Sequence, residues 1–416
     1  MAEKDSFDRA LEKLKERRKR ILEGKINCIP LSFSRLRAWL PGIEKKRYNI
    51  ITANQKVGKS KLADYILVYE PFFYVLEHPE QVRLNILYFT LEMGKEEKFY
   101  EFLCHLLFRL DNIRISPTDL KSTSADRPVP ENVIELLESE KYQRYIDKFK
   151  ETVIYIDHER NPTGIQKYIW NYMLERGKFH YKTSKRKNAD TGIVEDTQVI
   201  DYYEPDDPEG YVLTILDNYS NLSSENGLNK MQTIEKMSKY AIQLRDIFEL
   251  NFTAIQHQAQ AQEGIENQKL NKMMPSSDGL ADCKTTTRDA NLVLGLYSPY
   301  KYGLREYEGY DITQFKNNIR FMQVIEDRDN GAGGQICPLF FDGAVSVYRE
   351  LPLPNDKNAL TEYVTYANSI SRKRSSPTFF TVGSKGKSNS NCKGLLKWIK
   401  CTIFAGFKIN KKRKEK

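Results

Sequence analysis

No apolar run in this chain approaches the roughly 18 to 20 residues that a membrane span requires, and residues 1–24 are charged throughout, without the apolar core of a secretion signal. These absences lead us to expect a soluble, intracellular protein located in the cytoplasm. Cysteine is scarce as well, with six in 416 residues, at positions 28, 104, 283, 337, 392 and 401. None forms a CxxC pair or has histidine partners at zinc-ligand spacing, so reduced thiols are expected and no structural metal.

What the chain does have is 40% hydrophobic and 29% charged residues, enough for one large or two ordinary domains with a real core. Its net charge of +9 is unevenly spread. Residues 371–416 hold fourteen Lys and Arg against Glu415 alone, and 1–370 hold 51 basic and 55 acidic residues, a charge of −4. Any phosphate-binding track in the body must therefore be local, while the tail would bind polyanions without sequence preference.

Along the chain, Phe7, Ala10, Leu11, Leu14, Ile21 and Leu22 recur at three- and four-residue steps among Lys, Arg and Glu. That spacing predicts a thin-striped amphipathic helix over 6–23 that docks on its own domain or on a neighbouring subunit, or stands as a solvated arm. Strand-like runs follow at 47–52, 84–90, 152–156, 211–216, 253–256, 292–296 and 320–325, separated by helical stretches. Such alternation predicts an α/β fold with a mainly parallel sheet flanked by helices. Residues 179–210 break the pattern as a charged, hairpin-like surface insertion, basic and then acidic. After Pro354 the periodicity fades, and Ser, Lys, Gly and Asn dominate from 371 to 391. The expected organisation is a linker helix at 1–27, a core domain at 28–355 and a flexible basic tail at 356–416. Within the tail, 395–407 is apolar but too short to span a bilayer, and could serve as a membrane-surface or partner helix.

The sharpest motif is Ala53-Asn54-Gln55-Lys56-Val57-Gly58-Lys59-Ser60, between an Ile-rich strand and a predicted helix. It reads as a phosphate-binding loop with Ala53 at the usual first glycine. Backbone N–H groups converge on the phosphates, Gly58 allows close approach, Lys59 reaches the β and γ oxygens, and Ser60 ligates Mg²⁺. Asp217 ends the apolar run YVLTILD and is placed to complete the magnesium shell beside Ser60. Glu92, closing the run LYFTLEM, is placed to face the γ-phosphate and to orient or deprotonate water.

Taken in order, IPLSFSRLRAWLPGI, ANQKVGKSKLA, YFTLEM, VLTILDN, EKMSKYAIQLRDIFELNFTAIQHQAQ and DANLVLGLY followed by RDNG resemble the motor domain of DnaB-type replicative helicases over residues 28–350. The resemblance implies a RecA-like P-loop NTPase core and a homohexameric ring that hydrolyses ATP or another NTP with Mg²⁺ at subunit interfaces. It also implies 5′ to 3′ translocation on single-stranded DNA and unwinding of fork DNA. Lys59 and Ser60 match the family's nucleotide loop, Glu92 its catalytic glutamate and Asp217 its metal-side aspartate. Gln258 matches the glutamine that couples γ-phosphate to the DNA loops, and Arg328 the arginine finger donated by the next subunit. Primase, loader and polymerase are the partners the resemblance implies.

Three departures stand out. Glu326 occupies the place of a family lysine two positions before the finger. The DNA loop aligns with 278–289 and keeps only Lys284 and Arg288 as phosphate contacts, helped by neighbouring hydroxyls and amides. No primase-interacting domain precedes the motor, which with the Lys-, Asn- and Tyr-rich composition suggests a compact, phage-like form acting in the host cytoplasm. A helicase is thus the leading reading. A RecA-like recombinase or recombination-mediator ATPase that binds DNA without unwinding is the alternative, and a degenerate ring subunit a third.

Overall fold

The computed structural model describes residues 6–187, 194–270 and 272–373. The basic tail from 374, including its apolar 395–407 segment, lies outside the described residues. Helix α1 (Ser6–Leu22) leads through a small antiparallel pair, β1 (Cys28–Pro30) and β2 (Gly42–Glu44), to β3 (Arg47–Ala53). Beyond the loop after β3, α2 (Lys59–Ala63) widens into a π-helical stretch, Asp64–Tyr69, and resumes as α3 (Glu70–Glu77). Then come β4 (Arg83–Thr90), α4 (Lys95–Asp111), α5 (Glu140–Thr152), β5 (Val153–Ile156) and α6 (Pro162–Leu174). A hairpin of β6 (Gly177–Lys187) and β7 (Val194–Pro205) precedes β8 (Gly210–Asp217), α7 (Lys230–Phe248) and β9 (Asn251–His257). The chain continues with β10 (Leu292–Tyr297), β11 (Ile319–Asp327), β12 (Ile336–Asp342), β13 (Val347–Glu350) and α8 (Lys357–Lys373).

Among the described residues, nine strands form one sheet in the order β13-β12-β11-β10-β3-β9-β8-β4-β5. The six from β10 to β5 pair in parallel, and the three from β11 to β13 continue antiparallel. Both faces are covered, which is why the central strands read as near-continuous apolar runs. Successive residues still face opposite sides: Ile51, Ile86 and Tyr88 join the core under α2 to α5, whereas Ile50, Leu87 and Phe89 join the core under α6 and α7. Helix α7 starts at a capping box in which Asn229 and Gln232 satisfy each other's backbone N–H groups.

The expected α/β fold with a mainly parallel sheet is the observed one, and each of the seven strand-like runs lies on a strand. Strands β12 and β13 were not anticipated: Pro338 interrupts the first, and a proline lacks the N–H a ladder needs. A second difference falls at the tail. Residues expected to be flexible from 356 begin instead with α8, whose Tyr363, Ala367 and Ile370 are buried at helical spacing. The charged excursion is an antiparallel hairpin whose base is fastened by Phe179 and Tyr203 against Trp170 and Phe248.

On the core face of α4, His105 is buried, donates Nδ1–H to the Val345 carbonyl (3.1 Å) and stacks on Tyr69 at 4.4 Å. Burial, reinforced by Arg109, depresses its pKa to about 3. Unfolding returns it to the ordinary value of about 6.5, so the unfolded chain binds the extra proton. Stability conferred by the neutral ring is complete above that value and is lost progressively as pH falls toward 3. Urea midpoints measured from pH 7 to 4 should fall, and His105→Asn should have a shallower fall from a lower starting value. An unchanged slope would remove His105 from that account.

Candidate functional site

Strands β3, β9, β8 and β4 end side by side, with Ala53 opposite His257 and Asp217 opposite Thr90. In an open α/β sheet this carboxyl edge is where ligands bind. The loop Ala53–Ser60 leaves it between β3 and α2. Gly58 adopts φ +106°, and a Cβ there would meet the Tyr348 hydroxyl at 2.8 Å, so both backbone and space call for glycine.

The loop is gripped by its carbonyls. Lys301 Nζ donates to Gln55 (2.9 Å), Arg320 Nε to Val57 (2.7 Å) and the Tyr348 hydroxyl to Gly58 (2.9 Å). The Asn54 amide donates to the Met273 carbonyl (2.9 Å) and the Tyr302 hydroxyl (2.6 Å). Among the described residues the N–H groups of Gln55 to Gly58 have no such partners, and a phosphate would satisfy them. Arg320 is 2% exposed and finds carbonyls of Asn317 and Ile319 and the face of Phe341 in place of a carboxylate. Burial lowers its pKa to about 10.

Lys59 is also buried, and burial lowers its pKa against the opposing fields of Asp217 and Glu92. Its ammonium has no hydrogen-bond partner among the described residues. Next to it, Asp217 divides its two oxygens. Oδ1 accepts the Ser60 hydroxyl (3.2 Å), while Oδ2 accepts the Tyr88 hydroxyl (3.1 Å) and lies 3.6 Å from Lys98 Nζ. Lys98 is fully buried on α4 and also reaches Asp64 at 2.9 Å, at the start of the π-helical stretch. Burial works against its ammonium, but Asp64 and Asp217 together raise its pKa. Lys98 and Tyr88 thereby hold Oδ2 of Asp217 from behind, leaving Oδ1 to Ser60.

A hydroxyl and one carboxylate oxygen suit a hard divalent cation. Among the described residues there is no cluster of three His, Cys, Asp or Glu that could hold a metal alone. Magnesium does not need one, because it takes one or two protein oxygens and completes its shell with phosphate and water. The residues fit the ion.

Glu92 lies just past β4, exposed, and its Oε2 accepts from Asn218 Nδ2 at 2.5 Å. The same nitrogen lies 3.2 Å from His257 Nε2. Burial, then Lys59, lowers the His257 pKa. Lys59, Ser60, Asp217 and Glu92 are thus brought together at this edge. Gln258 lies at the same edge, but its buried amide donates to Thr52 Oγ1 and to the Ser276 carbonyl, both at 3.0 Å. It ties the loop strand to the segment after it, while His257 is the β9 residue turned toward Glu92.

Arg328 lies elsewhere. It follows β11, whose end Asp327 is level with Leu292 and Asn49, near the opposite edge of the sheet. It is exposed on a turn built by Asp327 accepting from the N–H groups of Asn330 and Ala332, both at 3.1 Å. Glu326 accepts from the Ser277 hydroxyl within its own chain. Lys284 and Arg288 are exposed on a segment held to β9 by Gln256, which donates to the carbonyls of Ala281 (2.8 Å) and Cys283 (2.7 Å). Sequence reasoning missed Lys98, Asp64, Asn218 and His257. Strand alternation at β9 could have separated His257 from Gln258; no local pattern announces Lys98.

No family model matches the chain, and no curated protein sequence does. Solved structures do. One of them, an ATPase domain, matches with a TM-score of 0.57 and 15% identity over 84% of this chain and all of that one. A DnaB-like replicative helicase, solved for its interactions with primase, matches with a TM-score of 0.56 and 15% identity over 83% of this chain and 67% of that one. The fold is that of a DnaB-like helicase ATPase domain. At such identity the likeness establishes the architecture, and the residues must carry the chemistry.

Removing the Lys98 ammonium leaves Asp64 and Asp217 as buried, uncompensated charges. Lys98→Met should destabilise the protein by about 3–5 kcal/mol, and adding Asp64→Asn should recover part of that. Denaturant titration of both variants checks it; a neutral Lys98→Met would contradict the assigned pairing.

Proposed function

We propose that this chain is an ATP-dependent DNA helicase motor that hydrolyses nucleotide at the interfaces of a hexameric ring while translocating on single-stranded DNA at a replication fork. The observation that carries the proposal is the separation of parts. Lys59, Ser60, Asp217 and Glu92 converge at one edge of the sheet, and Arg328 sits near the opposite edge of the same chain. A cation there can serve a γ-phosphate only in another copy, as a trans-acting finger does.

In this reading the loop N–H groups and Lys59 hold the phosphates, and Glu92 orients and deprotonates the attacking water. Magnesium on Ser60 and Asp217 would neutralise phosphate charge. The end of β9 joins the two sides: Gln258 binds Thr52 behind the loop and Ser276 ahead of Lys284 and Arg288, the two cations offered to DNA phosphates. Movement at the nucleotide is thereby passed to the DNA segment. The 5′ to 3′ direction comes from the family resemblance alone, as do primase, loader and polymerase as partners. Among the described residues, no helix is long and apolar enough to cross a membrane.

Helix α1 supports the ring. Its polar face is tied to its own chain by Arg9–Asp201 (3.1 Å), Arg17–Glu44 (3.2 Å) and Arg20–Glu209 (2.6 Å). Leu14, Ile21 and Leu22 point outward, 57 to 68% exposed. A neighbouring subunit would cover that stripe. Deleting residues 1–23 should therefore lower the assembly mass in sedimentation, and an unchanged hexamer would refute docking of this helix on the neighbouring subunit.

The function itself is tested by ATP turnover with and without single-stranded DNA, with fork unwinding followed in parallel. Stimulated turnover and unwinding are expected, both lost in Glu92→Gln. Lys59→Ala should lose nucleotide binding, whereas Arg328→Ala should bind nucleotide normally yet turn over about 10³-fold or more slowly. Stimulated turnover without unwinding would move the protein to the recombinase or mediator class. No turnover would leave a nucleotide-binding ring subunit.

A further inference from the structure

Glu92 must present its carboxylate in one direction to act on a water, yet it is an exposed side chain on a bend beyond β4. The main chain fixes where it starts: Leu91 N–H donates to the Asp217 carbonyl (2.7 Å), which sets Glu92 beside Asn218. Among the described residues, its carboxylate has one hydrogen-bond partner, the Asn218 amide at 2.5 Å. Asn218 is wholly buried. Its amide nitrogen has two hydrogens and two acceptors, the Glu92 carboxylate and His257 Nε2 at 3.2 Å. A half-turn of that amide would set its oxygen against both a carboxylate and a ring lone pair, so the arrangement has one sense only. The Asn218 oxygen and His257 Nδ1 are buried without partners, so nothing else in the described chain holds the string in place.

We infer that Asn218, backed by His257, is the positioning residue for the catalytic carboxylate: its amide, oriented by the imidazole, aims Glu92 at the attacking water. This rests on the proposed role of Glu92 as base. Asn218 touches neither phosphate nor metal in this scheme, so its contribution lies in the chemical step and not in nucleotide affinity.

The test uses full-length protein. Asn218→Ala should lower kcat for ATP about 10- to 100-fold while leaving the Kd for a fluorescent ATP analogue within about 2-fold. Because a buried asparagine can also serve folding, His257 supplies the second arm. His257→Leu offers no acceptor and should lower kcat, whereas His257→Gln, whose side-chain oxygen can accept from Asn218, should restore most of it. In a Glu92→Gln background, Asn218→Ala should change residual turnover little, since the group it positions is gone. Equal kcat for the Leu and Gln variants, or an undiminished Asn218 effect without Glu92, would overturn the inference. Wild-type turnover insensitive to Glu92→Gln would instead overturn the functional reading beneath it.

Discussion

The site depends on how one buried carboxylate is shared. Asp217 turns one oxygen to Ser60 and gives the other to Tyr88 and Lys98, and Lys98 is itself held by Asp64. The buried ammonium compensates the carboxylates around it, and in the proposed reading the Asp217 oxygen beside Ser60 is left at the end of β8 for a nucleotide-bound cation. The π-helical stretch opens at Asp64, directly after the loop helix, and α4 brings Lys98 across from the other side. Loop, strand and two helices therefore lock around one charge cluster.

Above that cluster the loop is shaped by its surroundings. Arg320, Tyr348 and Lys301 take carbonyls from behind, and all three come from sequence beyond β10. The antiparallel strands β11 to β13 thus have a task that their marginal place in the sheet does not suggest: they brace the phosphate loop. Strand β9 does the corresponding work on the other side, where Gln256 and Gln258 bind the segment leading to Lys284 and Arg288. In the proposed reading this strand end joins a nucleotide side to a DNA side, as a motor requires, because coupling travels through packed and hydrogen-bonded elements with more than one arrangement.

Much of this was legible in the residues. The loop motif carries its own mechanics, and the seven apolar runs are long enough to mark the sheet and place Asp217 and Glu92 at strand ends. What stayed hidden is contact between distant residues. Lys98 reads as one of two lysines in KEEKFYEF, and nothing local tells that it faces Asp64 and Asp217 inside the protein. Asn218 reads as a turn residue, and its link to Glu92 spans chain segments that only the β4–β8 pairing brings together. The resemblance points to Gln258, yet the pleat turns its neighbour His257 toward Asn218 and Glu92. Pro338 conceals β12, and the low-complexity stretch that follows masks the stripe of Tyr363, Ala367 and Ile370.

The central claim is that each nucleotide site is completed by a second chain. Its most direct test mixes two variants, Glu92→Gln and Arg328→Ala, each inactive alone. In a randomly mixed ring roughly a quarter of the head-to-tail interfaces pair an intact Glu92 with an intact Arg328. The account predicts that mixing restores DNA-stimulated ATP turnover to a corresponding fraction. A co-assembled mixture that binds nucleotide but stays inactive would contradict it.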